Sequence, residues 1–197
     1  MIPSGYDVIV IDVASPTGLD SVINEAVRHG IIVVAVDNMA GTTKAINVNE
    51  YQTEMGRQSA ASLVKHVPAN RTILMVRGLA GTAVDDDQAN GAEPVFKEHP
   101  DLKVVQVYGN WDIGTNQKAT ADVLATSHDI GGVEDATGAL QAFIHVHAPL
   151  VPIAGESDNG FMILATERKV PALDQMEQLF RASAAERAVI VAALPAP

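Results

Sequence analysis

The chain of 197 residues contains no cysteine, which excludes disulfides, thiolate catalysis and cysteine-based zinc sites. Aromatic residues make up only 4%, with a single tryptophan, and no apolar run approaches the ~18 residues that span a membrane. Basic residues are also few, because 13 Lys and Arg stand against 24 Asp and Glu, for a net charge of −11. That average field repels a phosphate backbone, so we expect no nucleic-acid partner, and because a long apolar run is lacking we expect no direct membrane insertion.

The residues that are abundant favour a folded, globular protein. Hydrophobic residues make up 47% of the chain and charged residues 19%, which argues against disorder. The length suits one domain of ordinary size or a pair of small ones. The residues after Met1 lack a basic stretch followed by an apolar core, so we expect no signal peptide in this chain.

The beginning of the chain has the pattern of a strand, a helix and a second strand. Residues 6–13 (YDVIVIDV) and 31–36 (IIVVAV) are short apolar runs rich in Val and Ile, typical of buried parallel strands. Between them an apolar stripe at helical spacing ends near Gly30. The stripe consists of Leu19, Val22, Ile23, Ala26 and Val27. The whole predicts a right-handed βαβ unit.

A second βαβ set follows over residues 60–108, although no repeat of fixed short period is visible. The pattern predicts helices over 60–67, 85–97 and 116–125, and strands over 72–76 and 103–108. Further along it predicts a short helix over 138–143, a strand over 150–154 and a helix-prone tail over 171–193. Residues 47–51 (NVNEY) lie between the two sets and are our candidate for a crossing between lobes.

Polar residues gather where the predicted strands end, which is where ligands bind in open parallel sheets. Asp37 and Asn38 end the second strand, and an aspartate with an amide there could exchange hydrogen bonds with sugar hydroxyls. The alternative is a helix cap or a turn. Trp111, in residues 109–112 (GNWD), could stack on the apolar face of a sugar ring or simply pack against the protein.

Other motifs give weaker signals for a site. The loop 78–82 (GLAGT) lacks the lysine of a P-loop, and the acidic residues 85–87 would repel an anion, although they could bind magnesium or begin a helix. His145 and His147 would share one face of a strand, but no third metal ligand has a recognisable spacing. In the loop 155–161 (GESDNGF), Glu156 and Asp158 could suggest paired catalytic carboxylates, but alternate residues of a strand-like segment point apart and no partner base or nucleophile is arranged around them. We therefore expect no enzyme activity, no metal site and no cofactor.

The segment 6–38 resembles the type I periplasmic sugar-binding proteins of ABC importers, the ribose-binding-like family. It has a similar strand, a loop like residues 14–18 (ASPTG), a helix, and a Gly-Ile-x-Val-Val strand ending in Asp37. Further pieces fit the family in order, and the resemblance covers roughly residues 5–163. These pieces are residues 78–91 (GLAGTAVDDDQANG), 99–105 (HPDLKVV), 109–112, 138–143 (GALQAF) and 152–161 (PIAGESDNGF).

The resemblance implies an α/β fold of two lobes, each a parallel sheet flanked by helices. Family members begin with another strand and helix before the region matching Tyr6, so we expect the first lobe to be incomplete. We expect a partial N-terminal lobe over 1–48, a C-terminal lobe over 49–162 and a divergent helical tail over 163–197. Pro94 falls inside a predicted helix, where it removes a hydrogen bond.

The resemblance also implies non-enzymatic binding of a monosaccharide or polyol between the lobes, as the substrate-binding component of an ABC importer. The importer's permease would be the partner, and the location periplasmic or extracellular. Asn38 stands where an arginine or another polar residue is usual in the family, and Gln88 stands where many members have an arginine that reaches the ligand. The implied ligand-binding residues are Asp37, Asn38, Gln88, Trp111, Asp135, Glu156, Ser157 and Asn159.

Three alternatives remain open. The chain could be a truncated remnant that binds nothing. It could be the effector-binding core of a sugar-responsive regulator, although it lacks a helix-turn-helix segment and its charge disfavours DNA. It could also be an α/β enzyme acting on a sugar or nucleotide, which would need a base or metal that the sequence does not reveal.

Overall fold

The computed structural model describes residues 1–134 and 137–155. Asp135, Glu156, Ser157, Asn159 and the tail 171–193 lie outside the described residues. A short 3-10 helix covers Ile2–Ser4. The strands are β1 (Val8–Ile11), β2 (Ile32–Val36), β3 (Ile46–Val48), β4 (Thr72–Arg77), β5 (Lys103–Tyr108), β6 (Ile130–Glu134) and β7 (Ile153–Ala154). The helices are α1 (Asp20–Arg28), α2 (Gln52–Leu63), α3 (Ala83–Lys97), α4 (Ile113–Thr126) and α5 (Thr137–His145).

The first sheet has the order β1-β2-β3, with all pairs parallel. Its strands alternate, so that Ile9, Val33 and Ala35 point to one face, where they pack with Ile23 and Ala26 of α1. On the opposite face apolar side chains are exposed. These are Val8, Val10, Ile32, Ile46 and Val48.

The second sheet has the order β5-β4-β6-β7, again with parallel pairing throughout. Ile73 and Met75 of β4 pack with residues of α2 and α3, while Leu74 packs on the other face with Leu140 and Phe143 of α5. Helices therefore cover both faces of this sheet. The α/β fold with parallel sheets flanked by helices is confirmed, and the carboxyl ends of its strands are the expected location of a ligand.

Two strands were not predicted as such. β3 is only three residues long and lies inside a segment that the sequence suggested as a crossing. β6 contains Gly131 and Gly132, which weaken the apolar pattern, yet both are needed there. A Cβ on Gly131 would lie 2.5 Å from the Arg71 Cβ, and one on Gly132 would lie 2.5 Å from a Val67 methyl carbon.

Helices α2 and α3 pack more closely than side chains would allow. A Cβ on Gly56 would lie 2.9 Å from the Gln88 Cα, and one on Gly91 would lie 2.8 Å from the Arg57 nitrogen. α2 begins eight residues before the predicted helix. The prediction began late because Gly56 interrupts the apolar stripe of α2, and the close packing against α3 explains why a glycine stands there. Pro94 does not end α3. Because proline has no N–H, the carbonyl of Asn90 loses its helical hydrogen bond, but Asn90 is exposed, so water can bind that carbonyl instead. Among the described helices, none has the length and apolarity to cross a bilayer.

Candidate functional site

The carboxyl edge of the first sheet carries two exposed carboxylates. Asp12 follows β1 directly, and Asp37 follows β2. Asp37 has φ 62°, a left-handed conformation that aspartate tolerates better than most residues, and its amide donates to the Val48 carbonyl at 3.1 Å. Unusual backbone of this kind clusters at ligand sites. The two carboxylates therefore offer hydrogen-bond acceptors at one edge of the sheet.

Asn38 joins this edge to the second sheet. Its side chain is 7% exposed, and its Nδ2 donates to Asp12 Oδ1 at 3.0 Å. Its Oδ1 accepts from the amide of Val84, in the first turn of α3, at 3.1 Å. The side chain predicted to bind the ligand therefore makes both of these hydrogen bonds to protein.

The loop 78–82 between β4 and α3 is held by a buried carboxylate. Asp85, 2% exposed, accepts from the Gly78 amide at 2.8 Å and pairs with both Nε and Nη2 of Arg77. Partial burial opposes the charge of Arg77, but the hydrogen bond and attraction of Asp85 outweigh it and raise the pKa of Arg77 above its ordinary value. The acidic run is thus divided: Asp85 fixes the loop, while Asp86 is exposed at the start of α3.

Trp111 lies on the loop between β5 and α4, and half of it is exposed (52%). Both it and Asn110 have left-handed backbone, with φ 57° and 56°. The indole covers Gly78, whose missing side chain leaves room for the ring. Trp111 therefore lies at the carboxyl end of the second sheet, as does the loop 78–82, and its exposed part is available to a guest.

Asp112 anchors the Trp111 loop to α4. Its carboxylate caps the helix by accepting from both the hydroxyl and the amide of Thr115, each at 2.7 Å. These two hydrogen bonds, the hydroxyl's first, hold the pKa of Asp112 below its usual range. A charged cap therefore fixes the residue that follows Trp111.

The sequence predicts that Gln88 contacts a ligand, and in the structure its side chain makes a contact between α3 and α2. Its Nε2 donates to Gln52 Oε1 of α2 at 2.9 Å. Its ligand role stays a prediction, as do those of Asp135, Glu156, Ser157 and Asn159, which fall outside the described residues. His145 ends α5 and His147 lies beyond it with φ 56°, so the two rings do not share a strand face.

The family model for the periplasmic binding protein domain matches residues 1–160. The chain belongs to the periplasmic binding protein domain family. No curated protein sequence matches the chain. The family assignment confirms the resemblance noted in the sequence, and it fits an α/β fold with two parallel sheets.

Several solved structures of solute-binding proteins share the fold of this family member. One, an ABC transporter solute-binding protein from Thermobispora bispora, aligns with TM-score 0.80 and 24% identity over 87% of this chain and 54% of its own. Another, from Agrobacterium vitis with bound D-fucose, aligns with TM-score 0.77 and 19% identity over 86% and 62%. A third, from Actinobacillus succinogenes with bound D-allose, aligns with TM-score 0.73 and 19% identity over 86% and 65%. The chain thus spans 54% to 65% of the lengths of these three proteins.

Asp12 is a residue of the candidate site that was not among the predicted ligand-binding residues of this periplasmic binding protein domain. It stands directly after β1, as Asp37 stands directly after β2, so the strand-end rule that singled out Asp37 applies equally to Asp12. Asp85 was grouped with an acidic helix start, because sequence gives no sign that its partner Arg77 lies beside it.

Proposed function

We propose that this chain binds a small neutral carbohydrate, a monosaccharide or polyol, between its two sheets and catalyses no reaction. We call the first sheet with α1 the first lobe, and the second sheet with α2 to α5 the second lobe. The observation that carries the proposal is the hydrogen bond by which Asn38, just after β2 of the first lobe, contacts Val84 at the start of α3 in the second. Asp12 and Asp37 end strands of the first lobe, while Trp111 and the loop 78–82 follow strands of the second.

The chemistry of these groups fits a neutral guest rich in hydroxyls. Asp12 and Asp37 have exposed carboxylates that accept hydrogen bonds from hydroxyl groups. The same carboxylates, with the net charge of −11, disfavour an anion such as a sugar phosphate. Half-exposed Trp111 offers a flat apolar surface of the kind that stacks on a sugar ring.

Two solved structures support the same class of guest. The protein from Agrobacterium vitis holds D-fucose, and that from Actinobacillus succinogenes holds D-allose. By analogy with such proteins, we propose that the chain serves as the substrate-binding component of an ABC sugar importer. Its partner would be the importer's permease and its location periplasmic or extracellular. Asp37, Trp111 and the predicted residues Asp135, Glu156, Ser157 and Asn159 would contact the guest.

Isothermal titration calorimetry against pentoses, hexoses and polyols, including D-fucose, D-allose and glycerol, tests the proposal. We expect saturable binding of at least one neutral sugar and none of its phosphate ester. The D37A variant removes an acceptor at the sheet edge, and D101A is its matched control. Asp101 is an exposed aspartate just before β5, at the opposite end of the strands.

The aromatic contribution has its own matched pair. W111A should weaken sugar binding about fivefold or more, because stacking of a ligand ring on an aromatic side chain is worth about 1–3 kcal/mol. Y6A should leave it unchanged, because Tyr6 is an equally exposed aromatic that precedes β1. Absence of binding to every neutral sugar by the folded chain would contradict the proposal, and so would D37A and W111A variants that bind as well as their controls.

A further inference from the structure

The amide of Asn38 supplies both a donor and an acceptor, and its two neighbours need one of each. The Asp12 carboxylate can only accept a hydrogen bond, and the Val84 peptide N–H can only donate one. Asn38 supplies a donor to the first at 3.0 Å and an acceptor to the second at 3.1 Å. An aspartate there could not donate to Asp12, and an arginine could not accept from Val84. We call this set of two hydrogen bonds the Asn38 bridge.

The Val84 N–H has no acceptor within its own helix. The first N–H groups of an α-helix lack partners in the preceding turn. Thr82 caps α3 by accepting from the Asp85 amide, and the Asp86 amide bonds to the Thr82 carbonyl. That leaves Val84, a buried residue of the second lobe, to be satisfied by Asn38 of the first lobe.

We propose that Asn38 is a positioning residue that holds the two lobes in contact, an arrangement that we call closed. Separating the lobes exposes the Val84 N–H and the Asn38 amide, which must then exchange their hydrogen bond for water. One such bond shifts the ratio of closed to open protein by about 3- to 10-fold. Because a guest held between lobes binds the closed form, its dissociation constant rises by up to the same factor when the bridge is lost.

This inference goes beyond sugar binding, since the Asn38 bridge is formed entirely by atoms of the protein. It also gives Asn38 a role different from direct ligand contact. If the guest were not a sugar, the lobes would still be held by the same two bonds. The test can therefore be made without any ligand.

Asn47 provides a matched control. Its amide also makes two hydrogen bonds, accepting from the Ala40 amide at 2.9 Å and donating to the Ala40 carbonyl at 3.1 Å. Both bonds stay within the first lobe. An N47A variant thus loses the same kind of interaction without touching the contact between the lobes.

Pulsed electron paramagnetic resonance between spin labels on the two lobes measures their separation directly. The absence of cysteine allows labels at E25C on α1 and K118C on α4, both exposed positions. We expect N38A, and N38L, which keeps the side-chain volume, to add a longer distance population in ligand-free protein. N47A should keep the parent distribution. Folded N38A and N38L variants with the parent distribution would overturn the proposal.

Hydrogen exchange gives a second readout. Its measurement on the unsubstituted chain does not depend on the folding of any variant. The Val84 amide should exchange slowly in ligand-free protein, and N38A or N38L should accelerate it about 3- to 10-fold. A Val84 amide that exchanges at the rate of an unprotected peptide would overturn the proposal. Failure of the chain to bind sugar would leave both readouts in place, so the two proposals can fail separately.

Discussion

Replacing Gly78 with alanine should dislodge the tryptophan of the candidate site without touching the tryptophan itself. A Cβ at position 78 would lie 2.6 Å from Cη2 of Trp111 and closer still to Cε2 and Cζ2, whereas ordinary contact begins at 3.4 Å. The ring must therefore retreat by about 1 Å or more. Overpacking of this kind costs about 1–3 kcal/mol, and we expect the lower end because half of the ring is free to move into solvent.

Fluorescence reports the displacement specifically, because Trp111 is the only tryptophan in the chain. In G78A its emission should shift to longer wavelength, and acrylamide should quench it more efficiently than in the parent. If Trp111 stacks on the guest, sugar affinity should fall in the same variant. Chemical denaturation should show a loss in the free energy of unfolding of about 1 kcal/mol.

Gly114 gives the control for this prediction. It lies in α4 with only Asp112 Oδ1 nearby, at 3.5 Å from an added Cβ, so G114A should leave the emission unchanged and stabilise the helix slightly. A folded G78A protein with the emission and quenching of the parent would refute the placement of Trp111 over Gly78.

Three further substitutions test the site and the sheet that supports it. D112A should lower the thermal midpoint by removing the cap of α4. In the parent the stabilisation by the Asp112 cap should be fully present above the ordinary aspartate pKa and lost as pH falls through the lowered pKa of Asp112. A difference in thermal midpoint between parent and D112A that does not change with pH would contradict this prediction. D85N should cost about 3 kcal/mol in chemical denaturation, because it leaves the largely buried charge of Arg77 with only the exposed Asp86, at 3.4 Å, as an ionic partner; a cost below about 1 kcal/mol would be inconsistent with the Arg77–Asp85 pairing. V33T should lower the free energy of unfolding by about 1–3 kcal/mol and V10T by less than about 0.5 kcal/mol, because Val33 is buried under α1 while Val10 is exposed. Equal losses in the two variants would contradict this assignment of the sheet's faces.

The sequence was informative wherever an element is long and strongly patterned. The predicted strand 103–108 matches β5, and the predicted helix between the first two strands matches α1 within a residue or two at each end. Apolar periodicity carries that information locally, because each side chain meets the core through its own strand or helix. The resemblance to sugar-binding proteins supplied the family, which the comparison with family models confirms.

What the sequence could not provide was the pairing of distant residues. Asn38 and Val84 are 46 positions apart, and nothing in either local segment indicates that an amide of one lobe completes a helix of the other. Gly56 and Gly91 likewise disrupt apolar stripes for a reason that appears only when α2 and α3 are placed together. In each case tertiary contact, and not local preference, decides the residue.

A fluorescence titration of the unsubstituted chain with neutral monosaccharides tests the central claim most directly, because Trp111 alone produces the tryptophan signal. The account predicts a saturable change in emission with at least one sugar, lost in D37A and retained in D101A. A folded chain whose Trp111 emission responds to none of these sugars, or responds equally in D37A, would contradict the claim that both lobes hold a hydroxyl-rich guest.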